Sequence, residues 1–83
     1  MGLGQMIYTL ADMPMGTAGM IMRLKAQSST RRRLLDLGLV PGTVVRYVRQ
    51  SPLGDPIAFD IRGAVVALRK VDAQTVFVDP VKE

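Results

Sequence analysis

The clearest pattern in the chain is Ile57-Ala58-Phe59-Asp60-Ile61-Arg62, with Ile57, Phe59 and Ile61 on one face and Ala58, Asp60 and Arg62 on the other. That period of two predicts a half-buried strand. Arg62-Gly63 follows as the tip of a tight hairpin, and Val65 to Arg69 runs back with Val66 and Leu68 inward. Ala18 to Leu24 is apolar apart from Gly19 and Arg23 and predicts another strand, with Gly19 marking a bulge or sharp bend. Val44 to Gln50 mixes valine, tyrosine and arginine and predicts a third. Lys70 to Ala73 is a connection with room for a 3₁₀ turn, and Val76 and Val78 flank Phe77 in a last strand that Pro80 closes.

One stretch departs from the strand pattern. Ser28-Ser29-Thr30 offers three candidate N-caps, Arg31 to Leu37 holds good helix formers, and Gly38 stands where a C′ residue belongs. Leu34 and Leu37 share one face of this helix, and Leu35 and Leu39 form a second apolar line. Pro14-Met15-Gly16-Thr17 and Leu39-Val40-Pro41-Gly42-Thr43 read as the same turn chemistry used twice, each leading into a strand. The whole predicts a mostly β fold: a small, closed barrel of about five strands with one short inserted α-helix. Residues 1–5 are expected to be a flexible N-terminus, 6–80 a single domain and 81–83 a tail.

Composition narrows the chemistry more than the fold. The 83 residues include no cysteine and no histidine. A disulfide, a Cys/His zinc site, an iron–sulfur cluster and a Ser-His-Asp or Cys-His nucleophile are therefore excluded. No phosphate-binding glycine motif occurs, and Asp12, Asp36, Asp55, Asp60, Asp72 and Asp79 are scattered singly. No enzyme, cofactor or metal site is expected. No apolar run approaches the roughly 20 residues needed to span a bilayer. The start lacks the features of a signal peptide, so a cytoplasmic protein is expected.

Eleven Lys and Arg against seven Asp and Glu leave a net charge of +4, and part of it is concentrated. Arg31, Arg32 and Arg33 fall at the predicted helix start, where the macrodipole is also positive. They read either as a solvated basic face or, with Arg23 and Lys25, as a docking patch for an acidic surface or phosphate groups. Leu53-Gly54-Asp55-Pro56 reads as a turn in which Asp55 bonds its own backbone and Leu53 covers the barrel mouth. The alternative joins Leu53 to Leu35 and Leu39 in an exposed apolar contact patch. Phe77 is expected to point out of the barrel, as a partner contact or a point of weak self-association. The methionines read as core filling or an adaptable surface ahead of a soft-metal site.

Two stretches resemble the FeoA family of small cytoplasmic accessory proteins of bacterial ferrous iron transport. One is Arg31-Arg32-Arg33-Leu34-Leu35-Asp36-Leu37-Gly38-Leu39-Val40-Pro41-Gly42. The other is Ser51-Pro52-Leu53-Gly54-Asp55-Pro56-Ile57, with Arg62-Gly63 and Val66-Ala67-Leu68-Arg69 beyond it. Leu10-Ala11-Asp12-Met13-Pro14 with Gly16-Thr17 fits the family's usual start, so the resemblance runs from Leu10 to Val78. It implies an SH3-like barrel and a partner in FeoB, a membrane permease with a GTP-binding domain. It implies a regulatory role without catalysis, with Arg31, Arg32, Arg33, Leu35, Leu39, Leu53, Asp55 and Phe77 as candidate contacts. The competing reading is a small-barrel nucleic-acid binder using the basic helix. The two tyrosines and two phenylalanines, with Phe59 predicted inside, offer little stacking platform for it.

Overall fold

The computed structural model describes residues 8–82; the expected flexible segment 1–5 lies outside the described residues. The strands are β1 (Tyr8–Thr9), β2 (Ala18–Leu24), β3 (Val44–Gln50), β4 (Ile57–Ile61), β5 (Ala64–Leu68) and β6 (Val76–Val81). A 3₁₀ turn covers Leu10–Asp12, and the helices are α1 (Ser28–Asp36) and α2 (Lys70–Ala73). All ladders are antiparallel, in the order β1-β6-β2-β3-β4-β5. The mostly β fold with a short inserted helix is as the sequence pattern predicts. β1 adds a sixth strand to the five expected. Among the described residues no ladder joins β5 back to β1.

The inner face follows from alternation. Ile57, Phe59 and Ile61 are buried, Val45 and Tyr47 face them from β3, and Val76 and Val78 from β6. Phe59 has no exposed surface and meets the Tyr47 ring edge-on, with centroids 5.3 Å apart at 74°. The hairpin at Arg62-Gly63 is confirmed by positive φ at both residues, and the Asp60 carboxylate accepts from the Gly63 N–H at 2.8 Å. That pair of left-handed residues is the turn that a right-twisted hairpin needs.

Three local readings change. Gly19 is not the bulge; the register shift lies between Ile21 and Arg23. Gly19 is instead a point of close approach, where a Cβ would meet Met13 Sδ at 2.8 Å and Val78 Cβ at 3.0 Å. Pro80 does not end the last strand, because β6 runs on to Val81 with Pro80 opposite Gly19. Among the described residues β1 pairs with Phe77 and Val78. The 70–73 connection forms an α-helical turn, not a 3₁₀ one.

Two matching turns bracket the β2–β3 pair. Gly16 N–H donates to the Tyr47 carbonyl at 2.8 Å, and Tyr47 N–H to Thr17 at 2.9 Å. At the other end Gly42 N–H donates to Ile21 and Ile21 N–H to Thr43, both at 2.8 Å. The repeated Gly-Thr pair is thus one hydrogen-bonding device used twice.

α1 ends as its sequence predicts. Gly38 N–H donates to Leu35 and Leu39 N–H to Leu34, the paired bonds of a Schellman motif, with Gly38 at φ 105°. Leu34 and Leu39, the residues that this motif brings together, are both fully buried. A Cβ at position 38 would take up a conformation that L-residues resist and would lie 3.0 Å from Ile61 Cγ2. Gly38→Ala should therefore cost roughly 1–3 kcal/mol. Urea unfolding followed by circular dichroism checks this, and an unchanged midpoint would contradict it.

Candidate functional site

The helix start is displaced from its expected place. α1 opens at Ser28 with Gln27 as N-cap, and no side chain caps it. Ser29 and Thr30 are therefore helical residues, and Ser28 enters the helix in a left-handed conformation, φ 56°, without capping it through its side chain. Arg33 consequently lies in the last turn, where the helix dipole favours a cation, reversing the expected penalty for that residue.

The three arginines are used differently. The Arg31 guanidinium donates to the Leu24 carbonyl at 3.0 Å, tying α1 to the end of β2. Arg33 forms an ion pair with Asp72 on α2 at 2.8 Å. Arg32 makes no side-chain hydrogen bond or ion pair among the described residues. It lines a groove of about 260 Å³ with Ser28, Arg31, Leu35 and Asp36. Arg23 stands over the Phe77 ring, 4.8 Å from its centroid. Much of the basic cluster therefore has internal work, and Arg32 and the exposed Lys25 are its available members.

The apolar set divides. Leu39 is fully buried and drops out of any exposed patch, because the Schellman turn carries it back into the core. Leu35 is half-buried in the Arg32 groove. Leu53 is 95% exposed, so it covers no barrel mouth and stands free. It adjoins a second, open groove of about 410 Å³ lined by Arg49, Gln50, Ser51, Pro52, Pro56, Ala58 and Ala67. The structure does not place Leu35 and Leu53 in a common groove. Phe77 is half-buried, its outward ring shared with Arg23.

Asp55 does not bond its own backbone. Its Oδ1 accepts from the Lys70 N–H at 2.9 Å, satisfying a donor at the start of α2 from across the fold. The loop itself is closed by Ser51, whose hydroxyl donates to the Asp55 carbonyl at 2.6 Å and whose N–H donates to Pro56. Both candidate clusters thus meet at α2: Asp72 holds Arg33 of α1, and Lys70 receives Asp55 of the Leu53 loop. Sequence reading passed over Lys70 and Asp72 because their partners lie 15 and 39 residues away.

Chemically this surface can bind. One large apolar side chain stands exposed on a turn fixed by hydrogen bonds, and an arginine and a half-buried leucine flank a separate groove. Among the described residues no three Asp, Glu, His or Cys side chains converge as metal ligands. Met13 packs in the core, whereas Met15 and Met22 are exposed.

The sequence model of the FeoA domain matches residues 8–80. The Fe(2+) transport protein A/Fe(2+) transporter FeoB fusion protein of Porphyromonas gingivalis is 31% identical over 70 residues, covering 84% of this chain. The chain spans only 8% of that protein's length. The solution structure of a FeoA-like protein from Clostridium acetobutylicum superposes with a TM-score of 0.84 at 30% identity, covering 93% of this chain and 90% of its own. The zinc complex of FeoA from Stenotrophomonas maltophilia, described as a procaryotic SH3 domain protein, gives 0.76 at 33% identity, covering 86% and 88%.

The Asp55 bond to α2 has a measurable weight. Asp55→Ala removes a carboxylate from a helix start and should cost about 1 kcal/mol. Arg33 and Asp72, an exposed pair on one side, should couple by only about 0.5 kcal/mol in a double-mutant cycle. A larger loss from the ion pair than from Asp55 would reverse this ranking.

Proposed function

The chain belongs to the FeoA family, and from that premise we propose that it is a non-catalytic accessory of ferrous iron uptake that acts by docking on the cytosolic part of a FeoB-type permease. One observation carries the reading: in the Porphyromonas gingivalis relative, a segment like this chain and FeoB are one polypeptide. A covalent tether raises the effective concentration of one module at the other, which is useful where the modules work in contact. Within the chain, Leu53 is the anchor and Arg32 the charged contact. A nearly fully exposed leucine gains the most from burial at an interface, about 1.5–3 kcal/mol. Arg32 supplies electrostatic selection of an acidic surface.

Nucleic-acid binding is the weaker reading. Arg31, Arg33 and Arg23 are engaged by Leu24, Asp72 and Phe77, and Phe59 is in the core. The basic helix therefore keeps only Arg32 of its three arginines without an internal partner among the described residues, and stacking has few aromatic groups left to use.

The test is calorimetric titration of the protein into the cytosolic portion of its cognate permease, nucleotide-free and with GDP or a GTP analogue. Leu53→Asp should weaken binding at least tenfold, in the range of a buried interface anchor, and leave thermal unfolding unchanged. Arg32→Glu should weaken it about fivefold and more steeply at low salt. Absence of binding by the unaltered protein in every nucleotide state would overturn the proposal.

A further inference from the structure

β5 is an edge of the sheet. It pairs with β4 from Ala64 to Leu68, and among the described residues no ladder occupies its other side. Its sequence, Ala64-Val65-Val66-Ala67-Leu68, holds no charge, no proline and no register shift. Edge strands ordinarily carry one of those devices, because a row of free N–H and C=O groups is a template for another strand. Here the charges stand just outside the strand instead: Arg62 before it, and Arg69 and Lys70 after it, all exposed.

The outer face beside this edge is shaped as well. The register sets Arg49 opposite Ala58 and Ala58 opposite Ala67, so two methyl groups floor the 410 Å³ groove between Pro52, Pro56 and Arg49. A strand added to β5 would lie about 4.8 Å away and put every second side chain on this face. A large apolar residue opposite Ala67 would then have the groove to enter.

We propose that the free edge of β5 takes up an extended polypeptide segment by strand addition, and that this segment is apolar at alternate positions and acidic at both ends. The flanking charges choose between occupants. Antiparallel pairing of β5 with a second copy of itself, centred on Val66, sets Arg62 opposite Lys70 and Gly63 opposite Arg69. Parallel in-register pairing sets each arginine beside its twin. Like charges facing each other across a strand pair are destabilising. The same charges welcome glutamate or aspartate at both ends of an incoming strand. Strand addition here does not depend on which protein carries the segment, so it can fail with the permease reading intact, and the permease reading can fail without it.

The experiment is a titration of the isotopically labelled protein, followed by amide NMR shifts. The probes are a synthetic peptide of alternating valine and threonine flanked by glutamates, and the same peptide flanked by lysines. The glutamate-flanked peptide should shift the amides of Ala64 to Leu68 saturably, and the lysine-flanked one should not. Arg69→Glu should weaken binding about fivefold at low salt. Ala67→Lys, which fills the groove floor from an exposed position, should abolish it while the remaining spectrum stays that of the folded protein. Equal binding of both peptides, or shifts confined to residues outside β5, would overturn the proposal. So would dimerisation through β5 in sedimentation of the protein alone, which would show that a second copy is the preferred occupant.

Discussion

Phe59 has no surface left to solvent, and its burial is the condition that the rest of the fold satisfies. A chain of 83 residues without cysteine has no cross-link to fall back on, so one apolar core must hold every element. β3 and β4 present alternate residues to that core, β6 adds Val76 and Val78, α1 adds Leu34, and the turn that ends α1 adds Leu39. A nine-residue helix is marginal alone in water. α1 persists because its buried Leu34 and Leu39 just beyond its end, joined by the Schellman turn, are part of the same packing that surrounds Phe59. The arrangement leaves the opposite side of each element free to carry polar groups and contacts without disturbing the interior.

What the sequence made legible was whatever repeats at short range. Ile57, Phe59 and Ile61 announced their strand and its inward face, Arg62-Gly63 its turn, and Gly38 the end of the helix. The misreadings share a different cause. Leu39 looked like a surface leucine beside Leu35, yet the chain reverses at Gly38 and carries it inward. Asp55 looked like a self-bonding turn residue, yet its partner is the Lys70 N–H. Gly19 looked like a kink, yet it is small because Met13 and Val78 crowd it. Each depends on a neighbour distant in sequence, which no local window contains. Leu53 was legible as a loop residue, but only the coordinates distinguish a lid from an exposed anchor.

The positive charge has a similar history. Counted along the chain, Arg31, Arg32 and Arg33 are one block. In the fold they point to three different tasks: securing α1 to β2, securing α1 to α2, and facing a groove. Charge that is spent on internal contacts is not fully available to a partner, so the surface is more selective than the net value of +4 suggests. The short helix α2 gains importance from this. It receives both the Asp55 loop and Arg33, and so fixes the relation between the exposed leucine and the basic helix through hydrogen bonds at both ends.

The twin Gly-Thr turns have an architectural consequence. Each latches one end of the β2–β3 pair, and the second closes back on Ile21 before β3 begins. The excursion that contains α1 therefore leaves and re-enters the sheet within a bracket that does not depend on what lies inside it. Insertions or substitutions between Lys25 and Leu37 can be absorbed without moving the strands, provided that an apolar pair still reaches the core. The fold thus separates its frame from the helix inserted into it, which would let that helix be retuned for new partners while the barrel is inherited unchanged.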